Sequence, residues 1–160
     1  EFFSEFKEPF QKYYNYISSN KEQVNVEYKT YEGNLIDNLH LCYEKDKAIG
    51  YTTQGIHRDD LVFFLNDYNV HYYGSQGQQK TFLLALKLAQ YSYLKDKKQT
   101  TPILLLDDIF DKFDFTRVEK ILSLVGEESF GQVFITDTHQ DRVEKIIPEN
   151  KKDDTKIIHL

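Results

Sequence analysis

Apolar residues recur along this chain with a period that switches between helical and extended, and the switches lay out its elements. Phe3, Phe6, Phe10, Tyr13 and Ile17 stand three and four apart over residues 1 to 19, the spacing of one buried helix face. Pro9 within that run predicts a kink or the first turn of a second helix. Asn20 to Gln23 is polar and ends it. Val24, Val26 and Tyr28 then alternate with Asn25 and Glu27, as a half-buried strand does. After Gly33-Asn34, helical spacing returns with Leu35, Ile36, Leu39, Cys42 and Tyr43. Residues 51 to 73 read as β. Leu61 to Leu65 and Val70 to Tyr73 flank Asn66-Asp67-Tyr68-Asn69, a turn-rich tetrapeptide that predicts a hairpin.

The second half changes character. Gln78 to Lys95 is helical, with Phe82 to Leu86, Leu88, Ala89, Tyr91 and Leu94 around most of its circumference. Such a helix is buried, here against the sheet that carries the next apolar run. That run, Ile103 to Leu106, is too short to span a membrane and ends in Asp107-Asp108. Thr116-x-x-Glu119 predicts a capping box at the next helix, with Val118, Ile121, Leu122 and Val125 as its core stripe and Gly126 at its end. Gln132 to Thr136 is another apolar strand, His139 onward a short helix, and Lys156 to His159 a closing strand. Strand and helix alternating from residue 103 predict an α/β fold with a parallel sheet.

Composition narrows the class. The 160 residues fit one domain with a real core. With 26 acids against 20 bases, the net charge of −6 makes this chain alone a poor general nucleic-acid clamp, so any DNA contact needs a local patch or sequence outside this stretch. The single cysteine, Cys42, cannot close an internal disulfide, which fits a reducing cytoplasm; a small buried hydrophobe is its ordinary reading. His40 reads as an ordinary helix-surface residue. The chain opens Glu-Phe-Phe without a Met, in helical register, and reads as a fragment.

Two stretches carry chemistry. Gly74-Ser75-Gln76-Gly77-Gln78-Gln79 is a polar loop opening onto a helix, where backbone N–H groups suit a phosphate. Asp107 and Asp108 close an apolar strand, a place for Mg²⁺ and water. Adjacent strand residues point to opposite faces, so one natural division makes Asp107 the ligand of Mg²⁺ or its water and Asp108 the group that polarises water. Asp111 and Asp114 follow; helix N-terminus stabilisation, about 1 kcal/mol, is the plain account of Asp114. A P-loop needs Gly-x-x-x-x-Gly-Lys-[Ser/Thr], and none of the seven glycines is followed by Lys. The chain is therefore not expected to hydrolyse a nucleotide unaided. Gly55-Ile56-His57-Arg58-Asp59-Asp60 admits two readings, a local salt bridge from Arg58 to an aspartate or a phosphate near His57 or Arg58.

These residues resemble a known pattern. Ser75-Gln76-Gly77-Gln78-Gln79 is similar to the signature loop of ABC-type ATPases, Leu104 to Asp108 to a Walker B strand, and Asp111 to Asp114 to a D-loop. Together with Gly-x-His-Arg-Asp-Asp-Leu, in this order, they resemble the RecF family of bacterial recombination mediators, strongly over residues 51 to 138 and more loosely before. The resemblance implies the C-terminal part of a P-loop ABC-type, SMC-like ATPase head. Residues 1–50 would end an inserted helical subdomain and return to the head, and residues 51–160 would form its C-terminal lobe. ATP would be sandwiched in a homodimer. Ser75, Gln76, Gly77 and Gln78 would meet the γ-phosphate, Asp107 would hold the Mg²⁺ shell, Asp108 would be the catalytic carboxylate, and Asp114 would reach across the dimer. DNA, in gapped or junction form, and RecR and RecO in loading RecA would be its partners.

This sequence departs from the pattern in three places. Asp108 stands where most ABC proteins have Glu, Asp137 where many have a switch histidine, and Ile56 where the family usually has Pro. Two other classes remain as alternatives. A two-metal nuclease or phosphohydrolase would use Asp107, Asp108, Asp111 and His139 but leaves the Ser75 loop without a task. A non-catalytic interaction module would bind a partner without responding to nucleotide.

Overall fold

The computed structural model describes residues 2–19, 22–31, 33–108, 113–137, 147 and 152–158. Helix α1 (Phe2–Ser18) runs through Pro9 as one element, so no second helix starts there. Its inward stripe is Phe6, Phe10, Tyr14 and Ile17, with Phe3 and Tyr13 partly buried beside it. Strand β1 (Val24–Lys29) pairs antiparallel with β2 (Asp60–Leu65), from Val24↔Leu65 to Lys29↔Asp60. Between them lies α2 (Leu35–Ile49), capped by Asn34 and closed by Gly50. None of its residues is buried, and Leu41 is 83% exposed, so its apolar positions stay uncovered among the described residues.

Two parts of the predicted β region are corrected. The hairpin turn is Asn66-Asp67, both left-handed at φ 46° and 71°, which matches the right-handed twist of paired strands. It leaves β3 (Tyr68–Asn69) only two residues long. Val70–Tyr73, read from sequence as a strand, is instead a single helical turn, α3. Asn69 is the cause: its side chain accepts from His71 N at 2.9 Å and caps that turn. Residues 51–59 likewise form no strand, because Gly55 (φ 136°) turns the chain into a 3₁₀ turn over Ile56–Arg58.

Helix α4 (Gln76–Lys98) is the spine. Phe82, Ala85 and Ala89 face α1 and the antiparallel sheet; Leu84, Leu88 and Tyr91 face the other half of the molecule. Ala85 and Ala89 are wholly buried where α1 crosses. Phe82 centres an aromatic cluster, 4.7 Å from Tyr14, 5.3 Å from Phe10 and 5.7 Å from Phe63 between ring centroids. The helix is not buried all round, since Leu83 faces out.

The second half is the predicted parallel unit. Strand β4 (Leu104–Asp107), helix α5 (Phe115–Val125) and β5 (Val133–Thr136) form a β–α–β crossover, with Leu104↔Val133 and Asp107↔Thr136 in register. Leu104 and Leu106 turn inward onto Leu84, Leu88 and the Val118, Ile121, Leu122 and Val125 stripe, as expected. The N-cap of α5 is Asp114, not Thr116, which lies inside the helix. Lys156 to Ile158 forms no strand, while His159 and the helix expected from His139 lie outside the described residues, apart from a bend at Ile147. Among the described residues no helix is long and apolar enough to cross a membrane.

Candidate functional site

Ser75 caps α4 with a reciprocal pair of bonds. Its hydroxyl accepts from Gln78 N at 3.2 Å, and the Gln78 side chain accepts from Ser75 N at 2.7 Å. That box holds the loop in one shape and leaves the backbone of Gln76 and Gly77 in the first helical turn, where N–H groups lack intrahelical acceptors. Gln79 fastens the loop from behind, donating to Gly74 O at 3.1 Å and Val70 O at 3.3 Å. Gly74 is required by closeness: a Cβ there would sit 2.6 Å from Val70 O.

Beneath the loop runs a polar chain that crosses the sequence. Gln78 donates to Glu22 Oε1 at 2.6 Å, and the wholly buried Tyr14 donates its hydroxyl to Glu22 Oε2 at 2.6 Å. Burial, then the hydrogen bond and charge of Glu22, push the Tyr14 phenol above its usual range, with Arg117 opposing. Tyr14 is therefore a neutral donor that holds the Glu22 carboxylate in place beside Gln78.

Asp107 is the last residue of β4 and accepts the Thr136 hydroxyl from the neighbouring strand. Asp108 lies one residue past the strand, in the left-handed region at φ 53°, its N–H donating to Thr136 O at 3.0 Å. The two carboxylates are thus not alternating strand residues, and the opposite-face argument does not apply to them. A non-glycine residue held left-handed costs on the order of 1 kcal/mol or more, though Asp is among the types that accept it best.

Asp114 accepts from Arg117 N at 3.0 Å and pairs with Arg117 Nε at 3.3 Å. Arg117 in turn donates from Nη1 to Thr81 Oγ1 at 3.1 Å, and Thr81 donates to Gly77 O at 2.7 Å. A Cβ on Gly77 would lie 3.0 Å from that same Nη1. Arg117 therefore joins the start of α5 to the first turn of α4. Ser75, Gln76 and Gly77 make no hydrogen bond to Asp107 or Asp108. The first turn of α4 is thus tied to Asp114 at the start of α5, and not to the acid pair, by Arg117.

Asp111 and His139 lie outside the described residues. Among those described, no three His, Cys, Asp or Glu side chains gather as a metal cluster. His57 and Arg58 are exposed on the 3₁₀ turn, and the proposed salt bridge from Arg58 is not formed: Asp59 accepts the hydroxyls of Tyr28 and Thr30 instead. Sequence reasoning missed Arg117, Thr81 and Glu22. The three-residue spacing of Asp114 and Arg117 was a usable signal. Glu22 and Gln78, 56 residues apart, offered none.

No family model matches the chain. Curated relatives do. The DNA replication and repair protein RecF of Phocaeicola vulgatus is 47% identical over 156 residues, covering 96% of this chain and 42% of the relative. RecF of Bacteroides thetaiotaomicron is 47% identical over 91% of this chain and 40% of the relative. The chain thus spans about two fifths of the length of these relatives. Among solved structures, the recombination mediator protein RecF of the RecFOR pathway, as RecF-ATPrS, superposes with a TM-score of 0.69 at 28% identity, over 88% of this chain and 40% of that one. RecF-ATP gives 0.67 with the same identity and coverage. The Smc head domain of Pyrococcus furiosus, at 17% identity and a TM-score of 0.53 over 90% of this chain and 30% of that one, shares the fold. The α/β fold of an ABC-type, SMC-like head is what the coordinates share with these structures, and the identity to the curated relatives extends over nine tenths or more of the sequence: the chain belongs to the RecF family.

Proposed function

We propose that this chain supplies the signature-and-carboxylate side of an ATP site shared between two copies of a RecF-type DNA-repair protein, and that the P-loop comes from sequence outside these 160 residues. The observation that carries the reading is the Ser75 cap. Its bonds hold the first turn of a long, well-anchored helix in one shape, and that helix stands in a fold similar to RecF-ATP. Ser75, Gln76, Gly77 and Gln78 present the helix N-terminus to a γ-phosphate held by the partner copy. Asp108 polarises the attacking water, and Asp114 reaches toward the dimer contact.

Asp107 suits Mg²⁺, which keeps most of its waters and takes only one or two carboxylates along with substrate phosphates, so a three-residue cluster is not required. When bound, the ion neutralises charge that develops on the phosphate oxygens. The Thr136 hydroxyl orients the Asp107 carboxylate for that contact. In the cell the complete protein acts in the cytoplasm on gapped or junction DNA, with RecR and RecO, to load RecA.

The test is Ser75→Arg in the complete protein. A bulky cation at the cap crowds the γ-phosphate, so ATP-driven dimerisation measured by light scattering is expected to disappear while the monomer stays folded. Dimerisation at wild-type ATP concentrations would refute the assignment.

A further inference from the structure

Arg58 is left without a carboxylate partner among the described residues, although acids surround it in sequence. Asp59 takes the hydroxyls of Tyr28 and Thr30, the latter at 2.9 Å; Asp60 accepts Leu61 N at 2.8 Å; Asp46 accepts the Thr53 hydroxyl at 2.6 Å. The Asp59 and Asp46 bonds fasten the 51–59 loop to the end of β1 and to α2, and all three turn a carboxylate to a local task. His57 holds the loop on itself, its Nε2 lying 2.9 Å from Thr52 O. Its ring covers Gly55, where a Cβ would stand 3.2 Å from Nδ1. Tyr51, Thr52, His57 and Arg58 line the resulting open cleft of about 580 Å³, and among the described residues no carboxylate lines it.

This is an unusual arrangement on a chain of net charge −6. A fixed loop offers one guanidinium, whose fork fits phosphate oxygens, beside a tyrosine ring that is 59% exposed. A cation next to an exposed aromatic is the pairing that holds a phosphate and stacks on its base. We propose that the cleft binds one nucleotide unit, with the Arg58 guanidinium on its phosphate and the Tyr51 ring against its base. A nucleic-acid strand and a free nucleotide share that chemistry, and the experiment separates them.

Fluorescently labelled oligothymidylate and, separately, ATP are titrated into the 160-residue chain and its variants. Arg58→Ala is expected to weaken oligonucleotide binding and to lower the slope of log affinity against log salt by about 1. Tyr51→Ala is expected to weaken it roughly tenfold with the slope unchanged. Both side chains are exposed, so unchanged circular dichroism certifies the fold. Loss of ATP binding alone would identify the free nucleotide as the ligand. Variants that bind both probes as wild type does, or a wild-type chain that binds neither, would overturn the proposal. The shared ATP pocket is not a premise: Ser75→Arg is expected to leave oligonucleotide binding intact, so the two readings fail separately.

Discussion

Asp108 shows how much a single residue's backbone can matter. Its left-handed φ of 53° turns it away from the strand that ends at Asp107, and an N–H bond to Thr136 O holds it there. Asn tolerates the same conformation, so Asp108→Asn removes the charge without adding strain. In the complete protein this variant is expected to slow ATP hydrolysis by about 10²–10³ while nucleotide binding changes little, because a group that acts on the attacking water is felt mainly in the transition state. Steady-state hydrolysis set beside equilibrium ATP binding checks this. An equal loss in both would move Asp108 from chemistry to binding. The adjacency of the acids was legible in the sequence. Their relative direction was not, since it depends on where the ladder with β5 stops.

Helices α4 and α5 meet through Arg117, a contact between elements that neither specifies alone. The guanidinium bonds Thr81, which is 1% exposed, and closes over Gly77 while pairing with Asp114. The pair with the largely exposed Asp114 adds little, because water screens it. The bond to buried Thr81 counts for more. Arg117→Ala is expected to cost about 1–3 kcal/mol, read as a lowered urea midpoint at constant m-value. Arg117→Lys should recover only part of it, since a point charge cannot reach Thr81 and Asp114 at once in the same fork. Full recovery with Lys would show that charge, not geometry, holds the two helices.

Across the whole molecule, the two sheets differ in how they are covered. The antiparallel sheet rests on α1 and α4, whereas β4 buries one face through Leu104 and Leu106 and β5 is only partly covered at Val133. Leu105 at 71% exposure and Phe134 at 48% stand on the other. Parallel strands are ordinarily covered on both faces, and a bare apolar face draws other molecules to it. The 160-residue chain is therefore expected to bind an apolar fluorescent dye and to associate as its concentration rises, by analytical ultracentrifugation. Leu105→Lys should reduce both without lowering the thermal midpoint, because that side chain is outside the core. A sedimentation profile indifferent to this change would place the contact elsewhere. The near-continuous apolar run Ile103 to Leu106 read as a buried strand, and the coordinates bury only its Leu104 and Leu106.

What the sequence by itself determined is the local grammar. The helical periods of α1, α4 and α5 rest on interactions within about four residues, which one chain displays openly. Tertiary structure alone decided the rest. It placed Glu22 under Gln78, laid Arg117 on Gly77 and turned the Tyr28 and Thr30 hydroxyls onto Asp59. Each of these joins groups tens of residues apart, so it exists only once particular helix and strand faces have met.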